Sequence, residues 1–163
     1  MKVIVDTNVP IVANGQKSVQ ASSSCINSCI AAIRDVQHKH ILIVDEGWRV
    51  IREYLRHLNQ KGRPGIGDEF MLWVLQNQYN PARCERVVIT PLAASTDGND
   101  FAEFPDDPEL TNFDRSDRKF VAIALAHPER PPILNATDTD WHGHQLALEK
   151  HGVKIQFLCS DTL

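Results

Sequence analysis

The 163-residue chain is short of cysteine, of long apolar runs and of positive charge, and each shortage excludes something. No stretch approaches the ~20 consecutive apolar residues that a membrane-spanning helix needs. The opening MKVIV segment enters a strand-like run that meets Asp6, so no signal peptide is expected. The four cysteines, Cys25, Cys29, Cys84 and Cys159, follow no zinc-ligand spacing and are too few for a disulfide scaffold. They are read as reduced, mostly buried thiols of a cytoplasmic protein. Lys and Arg total 17 against 21 Asp and Glu, so the net charge of −4 gives no global support to nucleic-acid binding. Phosphate-cradling glycine loops, dinucleotide fingerprints and Ser-His-Asp arrangements are also missing.

What is present is a chain of ordinary globular composition, 42% hydrophobic and 23% charged, of a length that favours one domain over 1–163. Periodicity alternates short apolar runs with helical stretches. Strands are expected at 2–5, 41–44, 86–89, 132–135 and 153–158. Helices are expected at 19–37, with Cys25, Cys29, Ala32 and Val36 on one stripe, and from Glu46 to about Asn59, capped by Asp45, with Trp48, Ile51, Leu55 and Leu58 as its apolar face. Further helices are expected at 68–77, 116–126 and 141–150. Residues 90–115 read as a long polar loop. This alternation predicts an α/β fold with a parallel sheet covered on both faces, and ligands in such sheets sit beyond the carboxyl ends of the strands.

Carboxylates occupy those places. Asp6 follows the first strand, Asp138 and Asp140 follow the fourth, Asp117 opens the helix after the long loop, and Glu53 lies in the helix after the second strand. Glu46, two turns before Glu53, shares its face and competes for the same role. Clustered carboxylates raise one another's pKa, and a hard divalent cation such as Mg²⁺ or Mn²⁺, which takes oxygen ligands, relieves that repulsion. Each acid also has a structural use: an Asx turn for Asp6, and helix capping for Asp117, Asp138 or Asp140.

Four segments in order resemble PIN domains, the metal-dependent ribonucleases that include VapC-type toxins: Val-Ile-Val-Asp6-Thr7-Asn8, Ile51-Arg52-Glu53-Tyr54-Leu55, Asp117-Arg-Lys-Phe-Val-Ala-Ile-Ala124, and Ile133-Leu-Asn-Ala-Thr-Asp138-Thr-Asp140. The resemblance implies a three-layer α/β/α sandwich and Mg²⁺- or Mn²⁺-dependent hydrolysis of RNA. It favours Glu53 over Glu46 and makes Asp6, Glu53, Asp117 and Asp138 the catalytic acids. Asp6, Asp117 and Asp138 would hold metal with Asp140 as auxiliary, and Asn8 matches the polar residue two after the lead aspartate. It further implies an antitoxin or other regulatory protein, and a homodimer. The 90–112 segment is longer and more acidic than a compact toxin has.

Charge is unevenly spread. Arg49, Arg52, Arg56, Lys61 and Arg63 lie close together around Glu53, and the first three share a helical flank suited to phosphate contact. Residues 97–114 hold seven acids and no base until Arg115, a solvated loop or an acidic lid, punctuated by Phe101, Phe104 and Phe113. His142 and His144 are read as residues of a solvent-facing helix start. Two other functions fit the same residues: a catalytically silent PIN-like binding module, and a haloacid-dehalogenase-like phosphatase with Asp6 as nucleophile. The phosphatase motif wants an aspartate where Asn8 stands.

Overall fold

The computed structural model describes residues 1–15 and 21–159. Strands β1 (Lys2–Val5), β2 (Ile41–Asp45), β3 (Cys84–Val87), β4 (Ile133–Asn135) and β5 (Ile155–Phe157) form one sheet in the order β3-β2-β1-β4-β5, every neighbouring pair parallel. Helices α1 (Asn8–Ala13), α2 (Ser23–Lys39), α3 (Arg49–His57), α4 (Ile66–Asn77), α5 (Arg118–Ala126) and α6 (Thr139–Lys150) surround it, giving a three-layer α/β/α fold. Val3–Val5 and Leu42–Val44 are fully buried, as continuous apolar runs in a doubly covered sheet must be. Among the described residues no helix is long and apolar enough to cross a membrane.

Several elements depart from expectation. The short α1 occupies a stretch read as loop, and α2 begins at Ser23 rather than at 19; residues 19 and 20 lie outside the described part. The expected stripe on α2 holds for Cys25, Cys29 and Val36, but Ile33 rather than Ala32 completes it. Helix α3 starts at Arg49, not Glu46, because Trp48 adopts a left-handed conformation (φ 67°) that no regular helix tolerates. Asp45 does cap it: its buried carboxylate accepts the Arg49 and Val50 N–H groups at 3.0 and 2.9 Å. The Trp48 indole donates to Gln78 at 2.7 Å, tying this turn to the end of α4. The late start rotates the buried face to Val50, Ile51, Glu53 and Tyr54, leaving Leu55 41% exposed.

The 90–115 segment is packed down. Pro91 bridges Phe101, a 3-10 turn forms at Pro108–Leu110, and Phe101, Leu110 and Phe113 are buried, with Phe104 stacked on Phe113. The bases missing from this window stand just past it. Arg115 grips Asp97 with two bonds at 2.7 and 2.8 Å and Asp100 at 2.6 Å, and holds both carboxyls below their usual range. Buried Arg118 lies over Phe104 and donates to the Thr111 carbonyl at 3.0 Å.

The cysteines correct the thiol reading in part. Cys25 and Cys159 form a disulfide between the first turns of α2 and the residues after β5. Cys29 and Cys84 are free and buried, and burial pushes both thiols up to about 12.

Candidate functional site

The strand order reverses direction about β1, whose neighbours β2 and β4 are each reached by crossovers, so the carboxyl ends of β1 and β4 open the crevice where such folds bind ligands. Asp6 leaves β1 at this point and is buried. One of its oxygens accepts the Asn8 N–H at 3.3 Å and the other accepts the Asn135 side-chain amide at 2.9 Å. Burial, with Glu53 and Asp138 adding repulsion, raises its carboxyl to about 7, while Lys119 works against the rise. Asp117 stands where the 3-10 turn Arg115–Asp117 meets α5, and burial together with Asp6, Asp114, Asp138 and Glu53 pushes it to about 9. Asp138 is the N-cap of α6, accepting the Asp140 N–H at 2.9 Å, and burial raises it as well. The four acids expected to converge are therefore electrostatic neighbours.

They are not equivalent. Glu53 is already neutralised, since one oxygen accepts the Lys119 ammonium at 2.6 Å and the other accepts the Thr7 hydroxyl. Lys119 is only 5% exposed and also donates to the Ser116 carbonyl. Tyr54, beside Glu53, donates from its hydroxyl to the Val5 carbonyl at 2.5 Å and pins α3 to the end of β1. Glu46, the rival, is exposed in the turn before α3. Asp140 has its oxygens engaged by the Asp114 N–H at 2.9 Å and by His144 at 3.3 Å. Asn8 uses its side-chain carbonyl to accept the Ala136 N–H at 3.1 Å, bracing β1 against the turn after β4 rather than facing the cavity. His142 stacks on Phe157 and is half-buried, and His144 bonds within its own helix, so neither forms part of the site.

The arginines expected to bind substrate do line a cavity. It measures about 420 Å³ and is walled by Arg49, Arg52, Arg56 and Lys119 on one side and by Pro91, Asp97, Gly98 and Asn99 on the other. Lys119 thus belongs to both the cavity and the acidic cluster. Protein-family models, curated proteins and solved structures give no match to this chain. Its chemistry is read from its own residues.

The donor set fits a hard cation. One buried ammonium, paired with Glu53, stands among carboxylates of which Asp6 and Asp117 are driven far above their usual range by burial first and by neighbouring acids second. The Asn135 side-chain carbonyl is buried with no hydrogen-bond donor, so a further oxygen is at hand beside Asp6. All of these donors are oxygen, which suits Mg²⁺ or Mn²⁺ and not a soft metal. The carboxylate oxygens do not already meet as a closed cage; among the described residues the group whose ligand atoms meet is Cys25, Cys29 and Cys159. Sequence reasoning missed Asn135 and Lys119. Asn135 carried a signal, a polar residue ending a buried apolar strand in register beside Asp6, whereas Lys119 in a first helical turn looks like any surface lysine.

Proposed function

We propose that the chain is a divalent-metal-dependent endoribonuclease. The observation that carries this reading is the shared electrostatics of Asp6, Asp117 and Asp138 beside an arginine-lined cavity. Asp6, Asp117 and Asp138 would hold the cation, which when bound supplies an activated water and neutralises charge developing on the phosphate. Asn135 fixes the Asp6 carboxylate. Glu53 holds the Lys119 ammonium at the cavity wall, where its remaining N–H can meet a phosphate oxygen. Arg49, Arg52 and Arg56 take the backbone on either side of the scissile bond, contacts that position RNA without reading its sequence. This assigns Glu53 to positioning Lys119 rather than to a second metal. A regulatory protein over the cavity, a homodimer and a cytoplasmic location belong to the same proposal on the family resemblance alone.

The test is cleavage of an end-labelled RNA in Mn²⁺ or Mg²⁺ by the wild type and by Asp6→Asn and Asp117→Asn. Both variants are expected to stay folded and lose all metal-dependent turnover; turnover retained by Asp6→Asn rejects the assignment. The pairing of Glu53 with Lys119 favours one second reading, a silent binding module whose acids are internally balanced. Calorimetry with Mn²⁺ separates the two, because the nuclease binds one ion in the absence of RNA and the silent module binds none.

A further inference from the structure

The cluster that the nuclease reading leaves unused is the trio Cys25, Cys29 and Cys159. Its three sulfurs lie within 4.8 Å of one another, and each residue is at most 1% exposed. Cys25 and Cys29 are one turn apart on α2, and Cys159 arrives from the end of β5, 134 residues away from Cys25. The Cys29 sulfur stands 3.8 Å from that of Cys159. Three sulfurs bound to one small central atom at roughly the 2.3 Å of a thiolate–metal bond lie about 3.5–4 Å apart, so Cys29 and Cys159 already hold that spacing. Only the Cys25–Cys159 bond has to open.

We propose that the reduced chain captures one soft trivalent metalloid, with arsenite as the probe, through Cys25, Cys29 and Cys159. Charge selects the valence. Three thiolates on a monovalent ion carry two negative charges and on a divalent ion one, and uncompensated charge in an apolar interior is strongly disfavoured. On a trivalent centre they are neutral. Zinc in a structural site takes four ligands, and among the described residues no fourth His, Cys, Asp or Glu joins the trio. The chemistry balances. A phosphine and one water reduce the disulfide, giving two thiols and the phosphine oxide. Arsenous acid then exchanges its three hydroxyls for three thiolates, each S–H proton leaving with a hydroxyl as water. The captured centre ties α2 to the segment after β5, as the disulfide does in the oxidised chain.

The experiment treats the full chain with phosphine, adds arsenite, and reads bound arsenic by non-denaturing mass spectrometry and by the thiolate–arsenic absorption. One arsenic per reduced chain and none on the oxidised chain are expected. Cys29→Ser should weaken binding at least about tenfold, the loss that even an outer-shell contact brings, and Cys84→Ser should leave it unchanged. Equal binding by the oxidised chain, wild-type binding no tighter than that of the Cys25→Ser/Cys29→Ser/Cys159→Ser variant, or a preference for Zn²⁺ over arsenite overturns the proposal. X-ray absorption on the wild-type adduct decides the matter even if Cys29→Ser fails to fold: three sulfur neighbours support the site, and retained oxygen neighbours refute it.

Discussion

Asp6→Asn should make the metal-free protein more stable, and only where Asp6 would otherwise be ionised. Burial and the neighbouring Glu53 and Asp138 raise the Asp6 carboxyl from 3.8 to about 7. Near pH 4 the folded chain keeps the proton and the unfolded chain keeps about half of it, so wild type and variant differ little. As the pH climbs, the unfolded chain ionises freely while the folded chain resists, and native stability falls until pH passes 7. At roughly 1.4 kcal/mol per pKa unit, the rise from 3.8 to about 7 amounts to about 4 kcal/mol at pH 8. Burial is the largest part of that cost and the rest is repulsion shared with Glu53 and Asp138, so about half of it, ~2 kcal/mol, should return in the variant. For a chain of this size that is a gain of about 4–8 °C in Tm. The new amide must meet Asn135, whose side chain can flip to accept from it through the carbonyl that has no donor, trading away the N–H bond it now gives Asp6. The assay is thermal or urea unfolding in EDTA at pH 4 and pH 8, repeated at pH 8 with Mg²⁺. Mg²⁺ should stabilise the wild type and leave the variant unmoved. A stability gap of the same size at both pH values, or a variant less stable at pH 8 in EDTA, would show that Asp6 carries no excess charge cost.

Other perturbations probe the neighbouring parts. Lys119→Met strands the buried Glu53 carboxylate and should cost about 3–5 kcal/mol in urea unfolding, much of it recovered by Glu53→Gln/Lys119→Met. Replacing Arg49, Arg52 and Arg56 together by Ala should weaken single-stranded RNA binding and flatten its salt dependence by about 2 in the log–log slope; an unchanged slope would place the RNA elsewhere. Reducing the Cys25–Cys159 disulfide should lower stability by about 2–4 kcal/mol, and a denaturation curve indifferent to reductant would contradict that tie. Asn135→Ala removes the donor to Asp6 and should reduce metal-dependent turnover while Asn135→Asp, a further anion at the same point, reduces it more.

The sheet was legible because its strands are buried on both faces: Val3-Ile4-Val5 and Leu42-Ile43-Val44 have no polar residue to confuse the period. Helix α3 was legible as a helix but not in its phase. Asp45 caps it as its position suggests, yet the left-handed Trp48 delays the first turn, and the Tyr54 hydroxyl finds the Val5 carbonyl from across the sheet. Those are tertiary choices, and they turn Glu53 inward and Leu55 out. Asp6, Asp117 and Asp138 could be read because each follows a strand or opens a helix, whereas Glu53, in the middle of α3, was chosen over Glu46 only through the family resemblance. Their balance could not be read: Lys119 neutralises Glu53 from 66 residues away, and Arg115 and Arg118, one and four residues past the end of the acidic segment, steady it. The Cys25–Cys159 bond spans 134 residues, a pairing that no local spacing signals.

The position of Lys119 also explains how this fold tolerates so many buried acids. A carboxylate cluster held together without a counter-charge would push its members to protonate or the site to open. Lys119 pairs with Glu53 and also lowers the cost at Asp6, and it lies at the cavity wall with three arginines, so the negative pocket and the positive groove share a border at one side chain. On the proposed reading Asp6, Asp117 and Asp138 would take one divalent cation, because a second such ion would leave the pocket positive against Lys119. In the proposed reaction a phosphate bound by the arginines would also be within reach of the Lys119 ammonium, which lines the same cavity. The proposed cation would thus relieve a cost that the clustered, buried acids impose on the metal-free chain, and its binding would restore stability.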